Sequence, residues 1–123
     1  NIGRMQFSRQ WALILMMFSE EHGRLPGPDD DLSHYDLPDQ EIHGVKMTST
    51  DLELTSATPI KEIANPAAAF IGRERNLWLT PDEGKLGRTY VFADGHTEIR
   101  TYASTDDIDR WEKQHLPQLR ESQ

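Results

Sequence analysis

The 123-residue chain carries 21 acidic against 13 basic residues, a formal charge of −8, and no cysteine. A surface this acidic repels phosphate backbones and anionic headgroups, which sets aside nucleic acid and a membrane surface as partners. The lack of Cys excludes disulfides, thiolate catalysis and Cys-bound zinc. A mean hydropathy of −0.71 and an apolar fraction of 36% predict one domain, 1–123, with a thin core and long loops.

In chain order, the first element is a helix over about 3–22. Met5, Trp11, Leu15 and Phe18 recur at helical spacings, with Phe7, Ile14 and Met17 in the flanking stripe. The run Trp11–Phe18 is apolar all round, which predicts cover on more than one side. It is too short to cross a bilayer, so no complete span or signal peptide is read. A first residue Asn1 instead of Met reads as a processed or trimmed product. Gly23 stands where a left-handed C′ residue is wanted, Leu25 can make the accompanying contact, and Pro26 blocks continuation.

A variable region follows over about 27–61, with Pro28 and the run Asp29, Asp30, Asp31, then two short strands from Ile42 to Leu54. Ala67–Glu74 reads as a strand, and Leu77–Leu79 extends or pairs with it. Thr89–Ala93, Asp94-Gly95 and His96–Arg100 form a β-hairpin, with Asp94 and Gly95 as the structural turn. A two-residue type I′ turn places Tyr90 opposite Ile99 and Phe92 opposite Thr97, on the face that should meet the first helix. Ser104 or Thr105 caps a last helix over about 105–116, Ile108 and Trp111 dock it on the sheet, and the tail from Arg120 frays. The order helix, strands, helix predicts an α+β domain: an N-terminal helix packed on a small antiparallel sheet spanning about 66–102, with a short C-terminal helix.

Motifs for chemistry are few. No phosphate loop, dinucleotide fingerprint or nucleophile elbow is present. Asp94, His96 and Glu98 could be an acid/base or metal cluster, although Asp-Gly is a preferred turn dipeptide and explains Asp94 and Gly95 without chemistry. Asp106, Asp107 and Asp109 could join Asp94 around calcium, yet capping and the helix dipole account for two of them. Glu20, Glu21, His22 and the run Arg73-Glu74-Arg75 read as exposed charge, and Trp11, Trp78 and Trp111 as core or sheet-covering aromatics. The expectation is no catalytic residue and no cofactor, calcium being the one candidate ion.

Two stretches resemble bacterial type IV pilin-like and type II secretion pseudopilin proteins of the prepilin type. Arg9–Pro26 is similar to a helix closed by Tyr/Phe-x-x-x-x-Gly-x-Leu/Phe-Pro, here Phe18, Gly23, Leu25 and Pro26. Tyr90–Glu98 is similar to the family's F-A-D-G-H-V-E hairpin, and Asn65–Glu74 to the strand leading into it. Asp107-Ile108-Asp109-Arg110-Trp111 resembles the Asp-Ile-x-x-Trp end of the major pseudopilin, although the longer glycine-rich acidic loop that precedes it there is missing. The matched stretches cover roughly half of the chain, and 30–61 matches nothing in the family.

The resemblance implies a non-catalytic structural subunit of a pilus-like or pseudopilus-like envelope assembly serving protein transport. It implies an inner-membrane anchor upstream of this chain, a periplasm-facing or extracellular domain, and pilin-like partners met through Met5, Trp11, Leu15 and Phe18 of the helix. The peptidase site and hydrophobic half-helix are not in the sequence. The alternatives are a calcium-dependent or ligand-recognising module for a secreted or surface ligand, a small hydrolase using Asp94, His96 and Glu98, and a cytoplasmic regulatory domain.

Overall fold

A computed structural model describes residues 2–27, 30, 40–42, 45–47, 51–80 and 83–120. The chain is α+β. Helix α1 (Ile2–His22) is followed by a two-stranded ribbon, β1 (Gln40–Ile42) with β2 (Val45–Met47). The main sheet is antiparallel and holds β3 (Leu52–Leu54), β5 (Phe70–Glu74), β6 (Trp78–Leu79), β7 (Leu86–Phe92) and β8 (Thr97–Tyr102). β4 (Ile63–Ala64) precedes β5, helix α2 (Thr105–Gln114) follows β8, and β9 (Gln118–Leu119) closes the described chain by pairing with β4. Much of the variable region, with Asp29, Asp31, His34 and His43, lies outside the described residues.

The helix stop is local chemistry. α1 ends at His22, Gly23 takes φ +70° and donates its N–H to the Ser19 carbonyl at 2.8 Å, and Leu25 is buried. Arg24 then lies over the Phe18 ring and forks onto Asp30 at 2.7 and 3.0 Å, while the Gly27 N–H reaches the same carboxylate at 2.6 Å. Arg24 and the Gly27 N–H hold the Asp30 carboxyl well below the usual range, and Asp30 raises Arg24 in turn. Ser104 caps α2 by accepting the Asp107 N–H at 3.3 Å.

The sheet is covered on both faces, and α2 docks on it through the expected Ile108 and Trp111. On one face α1 lays Phe7, Trp11 and Leu15 against Ile71, Val91 and Ala93. On the other, Ile108 and Trp111 of α2 cover Phe70, Tyr90, Phe92 and Tyr102. Burial of large apolar side chains at about 1.5–3 kcal/mol each makes these two layers the main source of stability. β7 lies between them, which is why all its residues from Gly87 to Phe92 are buried. A continuous buried run is what two-sided cover requires of a strand.

The hairpin register differs from the expected one. The pairs are Thr89 with Ile99, Tyr90 with Glu98 and Val91 with Thr97, one residue away from the type I′ alignment. Phe92 bonds to the His96 carbonyl through its N–H at 2.9 Å, and the Gly95 N–H returns to the Phe92 carbonyl at 2.9 Å. The loop is therefore three residues, Ala93-Asp94-Gly95, with Gly95 at φ +94° as the bulge residue. Tyr90 and Phe92 face α2, and the smaller Val91 and Ala93 face α1, so the face that meets the first helix is the opposite of the expected one. Small residues on the α1 side let the helix approach closely.

Smaller differences have similar causes. Ala67 and Ala68 are turn, and a bulge between Phe70 and Gly72 turns both Ile71 and Gly72 toward α1. β6 pairs with Gly87 and Leu86 of β7, not with β5. Arg120 is anchored, donating its N–H to Glu62 at 2.8 Å and its side chain to the Ile63 carbonyl at 3.1 Å. Among the described residues no helix is long and apolar enough to cross a membrane.

Candidate functional site: the exposed helix face, the hairpin tip and two interlayer carboxylates

The four helix residues expected to meet partners are turned inward. Trp11, Leu15 and Phe18 are buried, and Met5 is half-buried with its sulfur accepting the Thr97 hydroxyl at 2.9 Å. The outward stripe of α1 is Gln6, Gln10, Leu13 and Met17, in which Leu13 is 61% and Met17 42% exposed. Leu13 and Met17 stand four apart and form one apolar strip on an otherwise polar face.

At the hairpin tip, the His96 ring stacks on Phe92 with centroids 4.3 Å apart and planes 9° apart. Nδ1 meets Asp94 Oδ1, Nε2 lies 3.0 Å from Glu98 Oε2, and the His96 N–H donates to Asp94 at 3.0 Å. Burial works against the charged ring, but the Glu98 and Asp94 hydrogen bonds outweigh it and raise the His96 pKa. Both nitrogens are thus taken up by carboxylates, and one ring face by Phe92. The cluster brings together all three residues suggested for hydrolysis, as a turn-closing contact in which His96 has no free nitrogen for a substrate.

Asp94 lies in the loop before β8, and Asp106–Asp109 lie in α2 after it. Asp107 has its own partner, Arg110 at 3.2 Å, and among the described residues no group of three or more His, Asp or Glu is placed to hold a metal. Asp94 is a turn residue, and the Asp106 and Asp107 carboxylates stand in the first turn of α2, where the dipole favours them.

Two carboxylates that the sequence reading assigned to the surface, or passed over, are the electrostatic centres of the two layers. Glu74 is 3% exposed on the α1 side. It accepts from Arg4 at 2.5 Å, the Trp78 indole N–H at 3.0 Å, the Thr89 N–H at 3.1 Å and the Thr89 hydroxyl. Glu112 is its counterpart on the α2 side. It accepts from Arg88 at 2.8 Å, from the Tyr90 hydroxyl at 2.5 Å and from Arg73, which also reaches Glu53 at 2.9 Å. Tyr102 donates its hydroxyl to Tyr90 at 2.8 Å. Burial, then the hydrogen bond to Glu112, pushes the Tyr90 hydroxyl up, so it stays a donor at any physiological pH.

The run Arg73-Glu74-Arg75 is thus split by strand alternation. Arg73 turns to Glu112, Glu74 to Arg4, and Arg75, the exposed member, sits near Glu53 at 3.4 Å. A signal for Glu112 was present: Ile108, Trp111 and Glu112 stand at i, i+3 and i+4, so a carboxylate shares the docking stripe of α2. Both carboxylates are surrounded by donors from their own chain, which makes them fasteners between layers.

Two recesses lie apart from these clusters. One of 270 Å³ sits between Met16, Ser19, Glu20, Gly23, Ile60 and Lys61, and one of 120 Å³ is lined by Asn65, Gln114, Leu116, Gln118 and alanines. The first brings Glu20 and Lys61 to its rim, and the second is lined by no titratable side chain. Scans of protein-family models, of curated proteins and of solved structures find no match to this chain.

Proposed function

We propose that the chain is the non-catalytic domain of a pilin-like structural subunit, part of a type IV pilus-like or type II secretion-like envelope assembly. The observation that carries this reading is the outward strip Leu13–Met17 on a 21-residue helix whose other side is sealed by its own sheet. A helix already supplied with a core on one side, and still apolar at two neighbouring outward positions, has a surface for a second helix. The resemblance of Arg9–Pro26 and Tyr90–Glu98 to pilin-like proteins supplies the class of partner. In that reading a segment upstream of α1 holds the subunit in the inner membrane before assembly.

The absence of catalysis is part of the proposal. Its support is that Glu74, Glu112 and His96 each have their polar atoms committed to partners within the fold. The test uses the full-length protein in its own cell with Leu13→Glu/Met17→Glu. Assembly or secretion should be lost, while the melting temperature of the isolated domain stays within a degree or two, because exposed substitutions change stability by less than about 0.5 kcal/mol. Normal assembly by the double variant would contradict the proposal.

A further inference from the structure

His96 faces a carboxylate at each ring nitrogen, Asp94 at Nδ1 and Glu98 at Nε2. An ionised carboxylate only accepts, whereas a neutral imidazole has one N–H and one lone pair. In either neutral tautomer one lone pair would point at a carboxylate oxygen. Only the imidazolium can donate to both. The ring is also held flat on Phe92, so it cannot turn away from the mismatch without giving up the stack.

We propose that the β7–β8 tip is a proton-operated clasp, closed while His96 is charged and loosened when it is neutral. The clasp ties the loop to the strand: Asp94 lies in the three-residue loop, Glu98 lies two residues into β8, and His96 bridges them. The same loop is held by the His96 N–H on Asp94 and the Gly95 N–H on Phe92, so the two backbone bonds share the fate of the ring.

The surroundings favour the cation. On β8, Arg100 approaches Glu98 at 3.8 Å, on the side chain's other oxygen. Behind Phe92, α2 presents Trp111 at 6.2 Å, with His115 stacked on it and Arg100 over it. From α1 the neighbours are uncharged, Met16 beside Gly95 and Met5 at Thr97. Two carboxylates thus act directly on His96 among the described residues, and the one guanidinium acts through Glu98.

The sign follows from linkage. With its folded pKa raised, His96 contributes stability to the tip that is fully present below the unfolded value of about 6.5, and is lost as pH rises through the folded value. The outward tip therefore changes its rigidity as pH rises from mildly acid to mildly alkaline. This inference does not depend on the assembly reading.

The test is an NMR pH titration of the whole domain, with ring ¹⁵N shifts and amide protection factors recorded together. His96 should carry protons on both nitrogens at low pH and titrate above about 6.5. Protection of the Phe92, Gly95 and His96 amides should fall through the same midpoint, by about tenfold for each unit that the midpoint is displaced. Asp94→Asn and Glu98→Gln should each lower that midpoint, and His96→Gln should leave protection independent of pH. A midpoint at or below the free value, unchanged midpoints in both carboxamide variants, or protection that stays flat across the titration would each overturn the clasp.

Discussion

At Gly72 the Trp11 ring of α1 lies directly against the sheet backbone, and replacing the glycine with Ala measures that contact. A Cβ there would stand 2.5 and 2.6 Å from two carbons of the Trp11 ring and 3.2 Å from the Glu53 carbonyl oxygen. An ordinary carbon contact needs about 3.5–4.0 Å, so the ring must retreat by roughly 1 Å. Trp11 is 6% exposed and is packed in the α1 layer, so it has little room. Overpacking of this kind costs about 1–3 kcal/mol. At this chain length about 4 °C of melting temperature corresponds to each kcal/mol, so Gly72→Ala should melt roughly 4–12 °C lower. Trp11→Leu alone costs about 2–4 kcal/mol by leaving a cavity. In the double variant the new methyl enters that space, and the two losses should fall short of their sum by at least about 1 kcal/mol. The assay is urea unfolding at constant m for all four proteins. Losses that add within about 0.5 kcal/mol would refute the contact.

Other outcomes follow from the same geometry. Glu112→Ala leaves two Arg and the Tyr90 hydroxyl without their shared acceptor; with Glu53 still near Arg73, the expected loss is about 3 kcal/mol in urea, and Glu112→Gln should recover part of it. Gly95→Val forces a β-branched residue into φ +94°, with the Met16 side chain 3.3 Å from its Cβ, and should cost at least about 1 kcal/mol of thermal stability. Asp30 has a depressed folded pKa, so its contribution is present above about pH 4 and is lost as pH falls through the folded value. Asp30→Asn should therefore lose stability near neutral pH and converge on the parent in acid, as read from urea midpoints across pH.

What could be read from the sequence was what short-range chemistry decides. Gly23, Leu25 and Pro26 end α1 whatever surrounds them, and Ser104 caps α2 for the same reason. The hairpin was visible at Asp94-Gly95, but its register was not. The dipeptide serves a two-residue I′ loop and a three-residue loop with a bulge glycine equally well. Packing partners come likewise from layers far apart in sequence: Trp11 needs Gly72, Trp78 needs Gly87, and Trp111 needs the aromatic face of Phe70, Tyr90 and Phe92. A one-residue slip would exchange these faces along the whole of β8. The two interlayer carboxylates were hidden because charge reads as surface until its partners are known. Glu74 meets Arg4 from 70 residues away, and Glu112 meets Arg73 from 39.

The helix positions expected to meet partners illustrate the same limit. Periodicity found the apolar stripes of α1 but could not say which one the chain's own sheet would take. The sheet takes Trp11 and Leu15, Phe18 is buried beneath Arg24, and Leu13 with Met17 stays outside. The chain contains no cysteine, so Leu13→Cys adds a thiol probe of this face to the domain within the full-length protein. Cross-linking in the intact cell, with Thr101→Cys on the exposed sheet edge as comparison, tests the central claim most directly. The account predicts subunit-to-subunit adducts from position 13 that exceed those from 101. A position 13 cysteine that stays monomeric, or cross-links no better than position 101, would contradict it.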